Sequence, residues 1–316
     1  MYSKIFLSTI LLIVCSFVCH YICKDLQKLQ HDTSHGSYDH NIVSIQGNVV
    51  CLNDYEKHIH SKCLSKPSTS SVQLIGHQTI VDELDSISHM WSNSCENRPL
   101  YKPPTGILLY GPPGTGKTTL SKHISNKLFG GNVSFMNVSS DTFDNKYQGE
   151  GLKYLRAVFT LAVKVAPCVI FFDEIDGFMS KRCDSDQTHV IGMKTTFLSC
   201  MDYINDRQEH VLVVCATNRP KSLDQALMRR MEIQFNTGYP SMDDKSYAMS
   251  QFEPLRDNTD IIRAFITDIL PTTSTLHDIY MFLRFCVRRE KHIDTEWTLD
   301  ILHKLYSEYN SVFKIV

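Results

Sequence analysis

The sequence lacks a large excess of charge of either sign. Its 316 residues include 32 Lys and Arg and 34 Asp and Glu, and the formal net charge is −2 with His neutral. Proteins that hold a nucleic-acid backbone through counterion release carry a clear basic excess, so nucleic acid is not an expected partner. The H-E-x-x-H pattern of zinc proteases is also missing, which argues against a protease of that class.

Cysteine is not scarce in this sequence, but the positions of the cysteines argue against disulfides. Of the 11 cysteines, Cys168 and Cys215 lie inside apolar runs typical of buried strands, so we expect reduced thiols in a reducing compartment. Four side chains offer thiol or imidazole groups that zinc could use: Cys51, His58, His60 and Cys63. Because their spacing matches no standard structural zinc site, we interpret this cluster as a chance feature of a His-rich segment.

Residues 5–23 carry no formal charge and few polar side chains. A helix over this segment would measure about 28 Å, close to the thickness of the hydrocarbon core of a bilayer. We therefore predict a transmembrane anchor at residues 5–23, after a short N-terminus at residues 1–4; a cleaved signal peptide is the alternative. Lys4 precedes the segment while Lys24 and Lys28 follow it, a bias that favours a cytosolic C-terminal body.

The rest of the chain divides by pattern into three parts. Residues 24–70 are polar and without sustained periodicity, so we predict a polar linker. Residues 71–238 alternate short β-branched runs with amphipathic stretches, which is typical of an α/β domain with a mostly parallel sheet flanked by helices. Residues 239–316 show helical patterns and predict a small helical lid domain. Strands are predicted at residues 106–111, 132–138, 168–173 and 211–217.

The stretch "GPPGTGKT" at residues 111–118 fits G-x-x-x-x-G-K-[ST] and lies between a predicted strand and a predicted helix. In such a P-loop, backbone N–H groups and the helix N-terminus hold phosphates. Lys117 should reach the β- and γ-phosphates, and the Thr118 hydroxyl should hold Mg²⁺. The predicted cofactors are therefore ATP and Mg²⁺. The predicted nucleotide-binding residues of the loop are Gly111, Pro112, Pro113, Gly114, Thr115, Gly116, Lys117, Thr118 and Thr119.

Hydrolysis requires acidic and polar groups beside the phosphates, and two further strands end in such groups. "VIFFDEID" places Asp173 and Glu174 after an apolar run, where Asp173 would coordinate Mg²⁺ through water and Glu174 would act as general base. "ATNRP" places Asn218 at the end of the next strand, where it could orient the attacking water. Arg229 and Arg230, in "LDQALMRRM", are ordinarily surface charges. In a nucleotidase, their positive charge could instead stabilise the transition state of the hydrolysis that takes place in a neighbouring subunit.

The motifs "GPPGTGKT", "VIFFDEID", "ATNRP" and "LDQALMRRM", in this order and spacing, resemble the AAA ATPases. Within that family, "YQGEGLKYLRAVFTLA" and "PCVIFFDEIDGFMSKR" make the chain similar to the membrane-anchored Msp1/ATAD1 extractases. The resemblance covers roughly residues 72–290. It implies a hexameric homo-oligomer that hydrolyses ATP at subunit interfaces and threads membrane-protein clients, including tail-anchored proteins, through a central pore. It also implies the mitochondrial outer membrane, with the peroxisome or ER as alternatives.

The resemblance assigns roles to three residue pairs. Those roles are adenine contact for Ile75 and Gly76, arginine fingers for Arg229 and Arg230, and substrate grip in the pore loop for Tyr147 and Gln148. Close relatives have two consecutive aromatic residues at the pore position, so the grip should rest mainly on Tyr147. The chain also departs from the family at Gln234, where relatives carry a basic residue, and at residues 271–278, which replace a glycine-rich sensor segment.

Two other functions stay open. The first is a microtubule-severing or ESCRT-disassembling ATPase of the katanin, spastin and Vps4 type, although no accompanying microtubule-binding or MIT-like module is visible. The second is a nucleotide-regulated scaffold that hydrolyses ATP weakly or not at all. The complete set of Glu174, Asn218 and the two arginines favours hydrolysis over the scaffold.

Overall fold

The computed structural model describes residues 41–45, 48–65, 74–92, 102–129, 133–139, 142–143, 150–180, 188–207, 210–289 and 297–313. The chain divides into two units, residues 1–41 and 42–316. The predicted anchor at residues 5–23 lies outside the described residues, as do Tyr147 and Gln148. Among the helices that are described, none has the length and apolar character needed to cross a bilayer.

The second unit is built on a six-stranded sheet. Its strands are β3 (Leu64–Ser65), β4 (Gly106–Tyr110), β5 (Ser134–Val138), β6 (Cys168–Phe172), β7 (Val211–Thr217) and β8 (Ile233–Asn236). They lie in the order β3-β5-β6-β7-β4-β8, and every pairing is parallel except that of β3 with β5. The predicted α/β fold is confirmed, and the sheet is mixed because β3 adds an antiparallel edge.

Helices cover both faces of this sheet. They are α1 (Asp54–Cys63), α2 (Gln78–Ser92), α3 (Lys117–Leu128), α4 (Glu150–Lys164), α5 (Asp176–Met179), α6 (Thr188–Arg207) and α7 (Gln225–Met228). Successive side chains of a strand point to opposite faces. In β4, Ile107 and Leu109 pack with α2 and α3, whereas Leu108 packs in the cluster that contains α1, α4 and α6. Since both faces are covered, the central strands β6 and β7 are almost entirely apolar and are buried along their whole length.

The segment predicted as a polar linker is partly folded into the domain, which corrects the prediction for residues 41–65. Strands β1 (Asn41–Ile45) and β2 (Asn48–Leu52) form a two-stranded sheet, and α1 follows them. The apolar residues here are too few for a clear period, but Leu52 and Ile59 are fully buried in the main core. The pairing of β3 with β5 joins this segment to the sheet through partners far along the chain.

A buried carboxylate fixes α1 against α4. Glu56 is 1% exposed and forms a capping box with Asn53 at the start of α1. Its side chain also accepts hydrogen bonds from Thr160 Oγ1 at 2.9 Å and from Lys164 Nζ at 2.7 Å. A carboxylate is buried at reasonable cost only when such partners surround it. The hydrogen bonds of Glu56 therefore fix how α1 packs against α4.

The described cysteines are all free. Burial raises the pKa of the Cys200 thiol to about 11 and that of the Cys286 thiol to about 12, so both stay protonated at neutral pH. Of the four thiol and imidazole side chains considered as zinc ligands, Cys51 is exposed while Cys63 is buried. Within the described ranges, no three His, Cys, Asp or Glu side chains are grouped so as to hold a metal ion.

In the part of the chain after the sheet that the structure describes, four α-helices form a separate apolar core. They are α8 (Met242–Ser250), α9 (Thr259–Asp268), α10 (Leu276–Arg289) and α11 (Leu299–Phe313). The rings of Phe265 and Phe282 stack with centroids 5.4 Å apart, and the ring of Tyr306 meets both edge-on. The start of α10 has a capping box, because the side chains of Thr275 and Asp278 accept hydrogen bonds from each other's backbone N–H groups.

Candidate nucleotide-binding site

The predicted site residues converge at the carboxyl ends of three neighbouring strands. Gly111 follows β4, Asp173 follows β6 and Asn218 follows β7. Because β7 lies between β6 and β4 in the sheet, these strand ends are adjacent although they are far apart in sequence. The crevice outside the carboxyl ends of parallel strands is where ligands bind in open α/β sheets.

The P-loop bends through glycines that adopt the left-handed region. Gly114 has φ 76° and Gly116, the residue that caps α3, has φ 85°. These values are costly for residues with a Cβ, so glycine is required for the loop to turn into the helix. The Thr115 hydroxyl donates to the Pro112 carbonyl at 2.9 Å and lies 2.9 Å from the Thr237 hydroxyl, which ties the loop to the chain after β8.

Lys117 is the cation of this loop, and its ammonium is held close to the backbone. Nζ donates to the carbonyl oxygens of Gly111 at 2.9 Å and Pro112 at 2.8 Å. Burial lowers the pKa of Lys117 from its usual value, while the charges of Asp173 and Glu174 act in the opposite direction. A bound polyphosphate would supply the anionic partner that a partly desolvated ammonium favours.

The donor set fits Mg²⁺. Thr118 Oγ1 donates to Asp173 Oδ2 at 3.1 Å, so a hydroxyl and a carboxylate oxygen already lie side by side at the end of the loop. Magnesium prefers such oxygen ligands and keeps several waters, so one hydroxyl and one nearby carboxylate are sufficient protein groups. Thr118 and Asp173 would therefore hold the ion together with phosphate oxygens.

Glu174 has an unusual backbone. Its φ is 50°, in the region that residues with a side chain rarely adopt. The backbone N–H of Glu174 donates to Asp173 Oδ1 at 3.0 Å, and the N–H of Ile175 donates to the Ala216 carbonyl at 3.0 Å. These bonds hold the strained turn and leave the Glu174 carboxylate exposed in the cavity. Backbone strain of this kind is concentrated at functional sites.

Asn218 is positioned by bonds on both sides. The Thr217 hydroxyl donates to Asp176 Oδ1 at 2.7 Å and accepts from the Arg219 N–H at 2.9 Å. These contacts fix the backbone just after β7, and Asn218 lines the same cavity as Lys117. The geometry therefore brings together a phosphate-binding cation, a candidate base and a neutral polar group that could orient water.

The cavity has a volume of about 880 Å³ and lies between the P-loop and the helices that follow the sheet. Ile75, for which an adenine contact is predicted, lines this cavity. Gly76 does not, and a Cβ at Gly76 would instead lie 3.1 Å from the Asp244 carboxylate. Sequence reasoning missed several polar lining residues: His77, Gln251, His277, Tyr280 and Arg284. The last three recur at helical spacing on α10, but periodicity alone does not show what a helix face meets.

Comparison with known proteins agrees with this geometry. Residues 107–239 match the profile of the "ATPase family associated with various cellular activities (AAA)". Residues 107–239 are an AAA domain. The crystal structure of the FIGL-1 AAA domain in complex with ADP superposes with a TM-score of 0.61 at 24% identity, covering 83% of this chain and 97% of that one, which shows the shared fold.

Curated relatives of this chain carry one recurring name. The "Outer mitochondrial transmembrane helix translocase" of Danio rerio is 37% identical over 210 residues, covering 63% of this chain and 53% of the relative. The protein of the same name from Xenopus tropicalis is 44% identical over 148 residues, covering 46% and 40%. These matches confirm the resemblance to the Msp1/ATAD1 subgroup. The chain spans about half the length, or less, of the curated relatives it matches.

Arg229 and Arg230, the two predicted arginine fingers, lie away from this cavity. A Cβ on Gly106, the first residue of β4, would come 2.2 Å from the Arg230 carbonyl oxygen, whereas the P-loop follows the last residue of that strand. A five-residue strand separates these points by about 16 Å. Arg230 donates to both carboxylate oxygens of Asp202, at 2.7 and 2.8 Å, and this bond lowers the pKa of Asp202. Arg229 is exposed.

Proposed function

We propose that this protein is an ATP-hydrolysing translocase that assembles into a ring and removes transmembrane segments of client proteins from a membrane. The observation that carries the proposal is the cavity that contains Lys117, Thr118, Asp173, Glu174 and Asn218 together. The names of the curated relatives support transmembrane helices as the substrate class and the outer mitochondrial membrane as the location. Anchoring by residues 5–23 is part of this proposal.

In this function, each group of the cavity has a separate task. Lys117 and the backbone of the P-loop bind the phosphates. Thr118 and Asp173 would hold Mg²⁺, which when bound would neutralise negative charge on the phosphates during the reaction. Glu174 takes a proton from the attacking water, and Asn218 orients that water. Since Arg229 and Arg230 are at the opposite end of β4 from the P-loop, they act on a neighbouring subunit's nucleotide, which makes hydrolysis depend on the ring.

The hydrolysis step is tested by Glu174→Gln in the full chain. Loss of a general base lowers turnover by about 10²–10⁴-fold, while ATP binding should persist because the phosphate-binding groups remain. ATP turnover and nucleotide retention are measured on the same preparation. Glu83→Gln, at an exposed position of α2, serves as the matched control. Turnover of the Glu174 variant close to that of the parent would reject the assigned base, and a parent that binds ATP without hydrolysing it would favour the scaffold.

The translocation step is tested at the predicted pore loop. Tyr147→Ala should abolish extraction of a single-helix membrane protein from liposomes but leave basal ATP hydrolysis intact, because an aromatic ring supplies sequence-tolerant grip. Gln148→Ala, at the adjacent position, should retain most of the extraction. Unimpaired extraction by the Tyr147 variant would refute the pore role. Failure of the parent to extract the client, despite active hydrolysis, would refute the substrate class.

A further inference from the structure

The second half of α10 carries an exposed stripe of aromatic, aliphatic and basic side chains. Tyr280, Arg284, Val287 and Arg288 recur at helical spacing, so they lie on one face of the helix. We call this face the arginine stripe. Tyr280 is 60% exposed and Val287 is 53% exposed. Large apolar groups that are exposed together, rather than singly, indicate an interaction surface.

The arginines of the stripe have aromatic neighbours but no carboxylate partners. Within the described ranges of the chain, neither Arg284 nor Arg288 forms an ion pair. The guanidinium carbon of Arg284 lies 5.8 Å from the centroid of the Tyr280 ring, and that of Arg288 lies 5.9 Å from the centroid of the Phe313 ring. A ring attracts a cation through its face and needs none of its N–H groups. The N–H donors of both arginines therefore stay available for a carboxylate, which arginine binds through two parallel hydrogen bonds.

The end of the helix accounts for only part of this surface. Arg288 lies in the last turn of α10, where the helix dipole stabilises a positive charge. Arg284 lies before that turn, and the effect of the dipole fades beyond it. The dipole also gives no reason for the exposed Tyr280 and Val287. A partner outside the chain explains all four side chains together.

A bound nucleotide does not supply that partner. A Cβ built on Gly114 would lie 2.8 Å from Thr275 Oγ1 and 3.2 Å from the Cβ of His277, so the P-loop adjoins the first turn of α10. Arg284 lies about 10 Å further along the helix axis than His277, and Arg288 about 16 Å further. The phosphate-binding loop thus meets one end of α10, whereas the arginine stripe occupies the other.

The shape of the surface selects among anionic partners. Tyr280, Arg284 and Val287 line the wall of the cavity, and a concave wall cannot be covered by a flat lipid bilayer. A nucleic acid requires a larger basic surface than two arginines provide, and the net charge of the chain is −2. A single peptide segment, in contrast, can place both carboxylates and apolar side chains against one helix face.

We propose that the arginine stripe is a docking site for an acidic peptide segment of a partner protein. Carboxylates of the segment pair with Arg284 and Arg288, and an apolar side chain of the segment covers Tyr280 and Val287. Because this interaction needs neither ATP hydrolysis nor a client, it does not rest on the proposed function.

The test measures binding of a fluorescein-labelled peptide of repeated Glu-Glu-Leu to the full chain by fluorescence anisotropy, with and without saturating ADP. A peptide of repeated Gln-Gln-Leu keeps the apolar groups and should bind about tenfold more weakly. Arg284→Ala/Arg288→Ala should lower the affinity for the acidic peptide about a hundredfold, because two sets of charged hydrogen bonds are lost.

The matched control is Arg256→Ala/Arg263→Ala. It removes the same charge from exposed positions of the helical domain outside α10, and it should leave the affinity for the acidic peptide unchanged. Tyr280→Ala should weaken the acidic peptide as well, because the apolar contact is lost. Without peptide, both double variants should unfold at the temperature of the parent, since the replaced side chains are exposed.

A loss that is confined to the stripe variants and persists with ADP supports the proposal. Equal losses in the two double variants would show a general attraction to positive charge and overturn it. Displacement of the peptide by ADP would overturn it too, because the peptide would then occupy the nucleotide site. Tighter binding to phosphatidylserine vesicles or to a single-stranded oligonucleotide, lost in Arg284→Ala/Arg288→Ala, would replace the peptide by that partner. Smaller assemblies of this variant in sedimentation would instead assign the stripe to a contact between copies of the chain.

Discussion

Replacing Gly114 by alanine tests the contact between the P-loop and the helical domain. At φ 76° an alanine carries the strain of the left-handed region, about 1–2 kcal/mol. Its Cβ would also lie 2.8 Å from Thr275 Oγ1, closer than real Cβ contacts come, so the hydroxyl or the whole turn must shift. Overpacking of this kind adds about 1–3 kcal/mol. The expected loss of unfolding free energy for Gly114→Ala is therefore about 2–5 kcal/mol.

Gly116→Ala is the matched control. It has nearly the same backbone strain, with φ 85°, but no atom lies within 4 Å of the position its Cβ would take. It should cost only the strain, about 1–2 kcal/mol. The assay is denaturation of the full chain without nucleotide, so that phosphate contacts do not enter. For a protein of this size, each 1 kcal/mol lowers the unfolding temperature by about 2–4 °C.

The comparison has a clear refuting result. If the two alanine variants lose the same unfolding free energy, Thr275 does not approach Gly114 closely in solution, and the contact between the P-loop and the helical domain is refuted. If only Gly114→Ala shows the additional loss, Thr275→Ala in the same chain should recover part of it, because removal of the hydroxyl opens space for the new methyl group. A pair of substitutions in contact is expected to be non-additive in this way.

Two further predictions concern charged side chains. Lys164→Ala removes the cation that pairs with Glu56, a carboxylate that is 1% exposed. The unfolding free energy should fall by about 3 kcal/mol, because the buried carboxylate loses its charged partner. Equilibrium denaturation measures this loss. Rings that mix Arg229→Ala/Arg230→Ala subunits with Glu174→Gln subunits should regain some ATP hydrolysis. At some interfaces, the intact arginines of a Glu174→Gln subunit would face the intact Glu174 of an arginine variant. The steady-state ATP turnover of the mixtures measures this recovery.

Each of these has a result that contradicts it. The pair of Lys127 with Asp85 is largely exposed, so Lys127→Ala should cost less than about 1 kcal/mol. A loss for Lys164→Ala no larger than this would mean that Glu56 finds other partners. No recovery of hydrolysis in rings shown to contain both kinds of subunit would mean that the arginines do not act between chains.

Much of the catalytic site could be predicted from the sequence because each motif includes its own local structure. "GPPGTGKT" contains the glycines for the turn, the helix start and the cation, so the loop folds in one way wherever it lies. The apolar runs before Asp173 and Asn218 predict strands buried on both faces, and the observed β6 and β7 confirm them. Parallel strands then place both residues at one edge of the sheet.

The folding of residues 41–65 was missed for a physical reason. Strand β3 has two residues, and α1 carries few apolar side chains, so neither shows a period. What holds them is distant in the chain, namely the pairing of β3 with β5 and the bond from Lys164 to Glu56. Local pattern cannot reveal partners that only the folded sheet brings near.

By itself, the sequence determined the nucleotide chemistry, because phosphate binding and water activation depend on residue types at short, fixed spacings. The tertiary structure alone decided which groups share the cavity. It excluded Gly76, Arg229 and Arg230 from the cavity lining and brought His277 to Gly114 across a long separation in the chain. Such contacts follow from the packing of one domain against another, and packing depends on the complementarity of whole surfaces rather than on any short stretch.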